Sequence, residues 1–193
     1  MKDEEVLLPF SPILIRKSYP YEKTLYGDIF VIETDFLESR VIRPFCKKIN
    51  GRRYTHIALK TGGKYAESID LDGRILHDLT DFPYEWRNFS VFRHKEMTDE
   101  KREKLKKLNE ELPISYDICG ILRLGARKLK GMEPDARDLS KEGKSFCTTR
   151  DAHMFYLSGL LIKKERDVHW SQIEPMHFFE SEFLEKIDEW TGK

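Results

Sequence analysis

The chain has 193 residues, of which 34 are basic and 34 acidic, so its formal net charge is zero. That length holds one domain with a sizeable core, and the charge balance excludes the basic field of a nucleic-acid or anionic-membrane binder. Hydrophobic residues at 39% and aromatics at 12% exclude a disordered chain, and no apolar run nears the roughly 20 residues that cross a bilayer.

Residues 1–26 read as an irregular lead-in that packs on a single domain covering 27–193. The start, Met1-Lys2-Asp3-Glu4-Glu5, is acidic, and Pro9 and Pro12 break the apolar stretch after it. No signal peptide is expected, and the expected location is cytoplasmic. Three cysteines at irregular spacing argue against a disulfide framework or a zinc site and fit a reducing compartment.

Gly27-Asp28 opens Ile29-Phe30-Val31-Ile32-Glu33, a β-branched and aromatic run that predicts a buried strand. Residues 35–53 are mixed and basic and read as a helical turn and loop. Segments 54–60 and 64–70 flank Gly62-Gly63, a hairpin signal, and 74–79 and 89–93 are further strand candidates. Thr98 then caps a helix whose Leu105, Leu108 and Leu112 form one stripe. Glu100–Lys104 and Glu103–Lys107 stand at i,i+4 on its solvated side, and Pro113 ends it. Segment 117–130 repeats the helical pattern through Ile118, Ile121, Leu122, Gly125 and Leu129, and 131–143 is a loop. A further helix begins at Cys147 with the stripe Thr148, Ala152, Phe155 and Gly159, and 178–190 carries apolar residues at helical spacing. Strands first and helices afterwards predict an α+β domain with an antiparallel sheet.

Cys147 lies where the polar loop gives way to a helix. Amide N–H groups of a first helical turn have no intrahelical partner, and the dipole adds partial positive charge there. Both favour thiolate, the nucleophilic form. Such a nucleophile needs a histidine to take its proton and an acceptor to orient that histidine. His56 lies in the first hairpin strand. With a two-residue turn at Gly62-Gly63, Thr61 pairs with Lys64 and Glu67 faces Ala58, diagonal to His56 on one side of the sheet. A four-residue loop puts Glu67 directly opposite His56. Either register predicts His56 and Glu67 on a common face.

The other candidates lack partners of this kind. Cys46 has basic neighbours but no evident base, and Cys119 falls in an apolar helical stretch. His153 is on the far side of the Cys147 helix, and His77, His94, His169 and His177 read as structural or surface residues. Gly62-Gly63 is a turn, and no Walker or dinucleotide pattern exists.

The ordered series Gly27-Asp28-Ile29-Phe30, Tyr54-Thr55-His56-Ile57-Ala58-Leu59, Tyr65-Ala66-Glu67-Ser68, Tyr116-Asp117, Phe146-Cys147-Thr148 and Pro175 with residues 178–181 resembles the permuted papain-like NlpC superfamily, in its YaeF/YiiX-like branch. The resemblance implies a circularly permuted papain-like fold in which histidine precedes cysteine. It implies Cys147 as nucleophile, His56 as base, Glu67 as orienting residue, and Tyr116 as a residue lining the substrate site. Thr148-Thr149-Arg150-Asp151 stands where the family has Ser-Glu-Leu. The expected activity is a cysteine hydrolase, amidase- or peptidase-like, that cleaves an amide or ester bond of a peptide, amide or lipid-acyl substrate through a thioester, with no metal or organic cofactor. Acyl transfer by the same triad and an inactive binding module on the same frame are the alternatives.

Overall fold

The structure is a computed structural model that describes residues 18–36, 39–40, 43–70, 73–82, 85–112, 130, 147–164 and 168–191. It is an α+β fold whose described strands form one six-stranded antiparallel sheet. Strands β1 (Ile29–Thr34), β2 (His56–Gly62), β3 (Tyr65–Asp70), β4 (Gly73–Asp78) and β5 (Trp86–His94) come first. Helices α1 (Asp99–Glu111), α2 (Cys147–Leu157) and α3 (Pro175–Phe179) follow, and strand β6 (Leu184–Thr191) closes the chain. The sheet order is β4-β3-β2-β1-β5-β6.

Alternating side chains sort the sheet into two faces. Ile29 and Val31 of β1 and Ile57 and Leu59 of β2 pack with Leu105 of α1 and with Cys147, Ala152 and Phe155 of α2. Phe30, Ile32, Ala58 and Ala66 point the other way, into an aromatic cluster with Tyr19, Phe82, Trp86 and Phe89. Phe89 meets Phe30 edge-on at 5.4 Å and stacks on Trp190 at 5.4 Å. Tyr19, from the lead-in segment, reaches this cluster, and its hydroxyl donates to Asp188 Oδ2 at 2.7 Å.

Local chemistry accounts for the element ends. Gly27, at φ +88°, turns the chain into β1 where a Cβ would come within 3.1 Å of Met97 Cε, so only glycine fits without strain. Asp28 follows it with its carboxylate fully buried, accepting from Leu25 N–H at 2.7 Å and from Arg93 at 2.7 and 2.8 Å. Thr98 Oγ1 caps α1 by accepting from Lys101 N–H, as the sequence predicts. Leu105 is fully buried under α1, and the last helical residue is Glu111.

Two expectations need correction. The helical spacing read over 178–190 belongs to a short helix, α3, followed by a strand. In β6 a bulge lies between the pairs Phe92↔Lys186 and Val91↔Asp188. Ile187 is the extra residue, so Leu184 meets the helix-side core while Trp190 stacks in the aromatic cluster. A three-residue step that imitates a helix thus fits a bulged strand. The strand set is also not confined to the first half of the chain, since β6 pairs with β5. The expected helix over 117–130, apart from residue 130, and the loop over 131–143 lie outside the described residues.

Because Phe89 fills the centre of the aromatic cluster with no exposure, Phe89→Ala is expected to cost about 3–5 kcal/mol. Equilibrium urea unfolding measures it.

Candidate functional site

Cys147 starts α2 and is buried against the sheet. The nearby backbone N–H groups of Ile57, Thr148 and Cys147 favour its ionised form, and Asp151 lies close enough on the next helical turn to oppose it electrostatically. Burial opposes the three N–H groups and wins: the thiol is pushed up to about 12. In this arrangement it is a thiol at neutral pH.

His56 is the residue directly before Ile57, yet its side chain leaves the sheet on the other face. It pairs with Ile32 and meets the Phe36 ring edge-on at 6.1 Å. Burial, with a smaller contribution from His77, pushes its pKa down to about 3, so the ring is neutral. Its Nε2 is buried without a hydrogen-bond partner among the described residues. Cys147 and His56 are therefore neighbours through one peptide, but not through their side chains.

Glu67 does not share the face of His56, contrary to both registers considered from sequence. The pairs Leu59↔Glu67 and Lys60↔Ala66 are followed by Gly62↔Tyr65, with a bulge between Lys60 and Gly62. Thr61 is the extra residue, and a one-residue shift moves every later side chain to the opposite face. Glu67 consequently points towards the helices. Asn109 Nδ2 donates to its Oε2 at 3.2 Å, Arg74 Nε lies 3.2 Å from Oε1, and Arg150 Nη1 lies 3.6 Å from the same oxygen. The guanidinium of Arg150 spends its two terminal nitrogens on Asn109, at 2.7 Å to Oδ1 and 2.8 Å to the backbone carbonyl. Its contact with Asp151 is longer, 3.8 Å. Burial, with Glu67 adding to it and Arg150 opposing, raises the Asp151 carboxyl to about 7. Burial, with Glu67 adding to it and Asn109 opposing, lifts the Tyr26 hydroxyl to about 12.

The bulge places Ser68 and His77 on the side of His56 instead. Ser68 Oγ and His77 Nε2 are 2.7 Å apart, and the His77 ring lies 4.8 Å from that of Trp86. Burial lowers His77 to about 4. Sequence reading took His77 as structural or surface and passed over Ser68. Asn109 was also missed, although it interrupts the apolar stripe of α1 one turn after Leu105, which is a signal for a buried polar contact.

Most remaining histidines serve local structure. His153 stacks on Trp170 at 4.0 Å, His94 Nε2 is 3.1 Å from the Leu161 carbonyl, and His177 Nδ1 accepts from Glu174 N–H at 2.9 Å. Cys46 is half-buried. Tyr116 and Cys119 lie outside the described residues. Among the described residues no group of three or more His, Cys, Asp or Glu is arranged to hold a metal ion, and no helix is long and apolar enough to cross a membrane. Compared with protein-family models and with curated proteins, the chain matches none of either.

Two outcomes check this geometry. Arg150→Met strips the buried Glu67 and Asp151 carboxylates of their shared cation and should cost about 3–5 kcal/mol in urea unfolding. Acid should also weaken the fold through His77, because its pKa is depressed by folding. Its stabilising share is complete above an unfolded value near 6.5 and is lost as pH falls towards about 4. Between pH 6.5 and pH 5 the wild type should lose about 2 kcal/mol more than His77→Gln does.

Proposed function

We propose that Cys147 is the nucleophile of a thiol hydrolase on a circularly permuted papain-like frame, acting on an amide or ester bond of a peptide or acyl substrate. The observation that supports this best is the docking of the helix start. Beside the sulfur lies the peptide that follows His56, and the backbone N–H groups of Ile57, Thr148 and Cys147 each favour its ionised form. Donors so placed stabilise a thiolate and, once a carbonyl is attacked, the oxyanion beside it. Two residues far apart in sequence thereby come within one backbone step of each other.

In the arrangement described the site is at rest, with a protonated thiol and the imidazole across the sheet. Turnover on this reading requires His56 to reach the Cys147 side. His56 is the first residue of β2, preceded by the irregular residues 53–55, so the change in backbone direction falls at a strand end. His56 then takes the thiol proton and returns it to the leaving group, and water resolves the thioester. Glu67 is not the orienting residue on this reading; it is engaged by Asn109, Arg74 and Arg150. Transfer to an amine or alcohol in place of water uses the same steps. The proposed setting is the cytoplasm.

A second reading is favoured by one observation, the placement of His56 and Cys147 on opposite faces. On it the frame is a binding module with no turnover. Incubation with a short-chain p-nitrophenyl ester separates the two. The hydrolase reading expects an acyl adduct on Cys147 by intact and peptide mass spectrometry. It further expects no release of p-nitrophenol by Cys147→Ala above background and a loss of about 10²–10⁴-fold in His56→Ala. Adducts on Cys46 alone, or equal rates in wild type and His56→Ala, would establish the second reading. An added amine that captures the acyl group identifies transfer.

A further inference from the structure

The nucleophile helix carries a charged pair, Arg150-Asp151, inside the protein, and the proposed hydrolysis makes no use of it. Helix α2 is buried from Cys147 through Ala152. Asp151 stands four residues after Cys147, so both side chains lie on one side of the helix. Buried carboxylates persist as anions only when paired and hydrogen-bonded. The natural partner, Arg150, donates instead to Asn109 through both terminal nitrogens, and Glu67 takes a closer share of its charge, 3.6 Å against 3.8 Å for Asp151. Two carboxylates thus lean on one guanidinium, and Asp151 holds the poorer place.

We propose that Asp151 is a positioning residue that adds to burial in holding Cys147 in its thiol form, and that the thiol gives up its proton more readily when Asp151 is itself protonated. The inference rests on the reading of Cys147 as nucleophile and adds its control. An ionised carboxylate one turn away disfavours a second negative charge on the sulfur; a protonated one does not. Among the described residues, charged and titratable groups surround the pair from several elements. Arg150 comes from α2, Glu67 from β3 and Arg74 from β4, and the Tyr26 phenol lies close enough to Arg150 to act on it electrostatically. Strand β2 contributes the apolar Ile57 and Leu59, and the 3-10 turn Trp170–Gln172 contributes Trp170, stacked on His153. Asp151 is poised to change charge near neutrality, with its carboxyl raised by burial to about 7.

The test is the pH dependence of iodoacetamide alkylation at Cys147 in a chain with Cys46→Ser and Cys119→Ser, followed by peptide mass spectrometry. The logarithm of the rate should climb with pH in the Asp151→Asn variant. With Asp151 present it should flatten between about pH 6.5 and about pH 8 before climbing again. The two profiles should coincide below about pH 6, and Asp151→Asn should be about three- to tenfold faster above about pH 8. Asp151→Ser, a second neutral variant, should match Asp151→Asn, and Asp151→Glu should restore the flattening. Profiles that run parallel at every pH would overturn the proposal, because a packing change alone shifts the rate without bending the curve. Alkylation needs no turnover, so the two claims fail separately. A bent profile without an acyl adduct on Cys147 supports the hold of Asp151 and sinks the hydrolase, whereas an adduct with parallel profiles sinks the hold.

Discussion

The bulge at Thr61 decides which chemistry each side of the sheet contains. Without it, the hairpin would set Glu67 beside His56, as an alternating strand with a plain turn requires. With one residue added between Lys60 and Gly62, Glu67 turns to the helices, and Ser68 and His77 take the side of His56. A single extra residue reverses a whole strand because the side-chain period is two.

Two contrasting interiors follow. On the aromatic side, His56 and His77 are buried among Phe36, Phe82 and Trp86, and the loss of water keeps both rings neutral. On the helix side, polar and charged groups are gathered instead: Glu67, Arg74, Arg150 and Asn109 contact one another across β3, β4, α1 and α2. That network fixes how α2 lies on the sheet, and so where Cys147 meets the Ile57 N–H. The network therefore supports the site without touching the sulfur. The sulfur is governed by two opposed influences. Three backbone N–H groups favour thiolate, and burial with Asp151 disfavours it; burial is the larger.

Much of the frame was legible because it obeys simple periods. The run from Ile29, the hairpin around Gly62-Gly63 and the Thr98-capped helix each follow from side-chain chemistry alone. Cys147 at the start of a helix was legible for the same reason. The bulges at Thr61 and Ile187 were not, since an inserted residue leaves composition and turn signals unchanged and shows only in pairing. The first misassigned Glu67, and the second disguised β6 as a helix. The buried charge cluster was half visible: Arg150-Asp151 stood out as charged residues at the start of the nucleophile helix, but their partners come from segments distant in sequence.

The site is defined by Cys147 lying near the peptide after His56 while the His56 ring faces away. Nuclear Overhauser contacts in the labelled protein measure this directly. The expected result is a contact between the Ile57 amide proton and the Cys147 β-protons, with the His56 ring protons close to the Phe36 ring. Contacts from the His56 ring to the Cys147 β-protons, with none from the Ile57 amide, would contradict it.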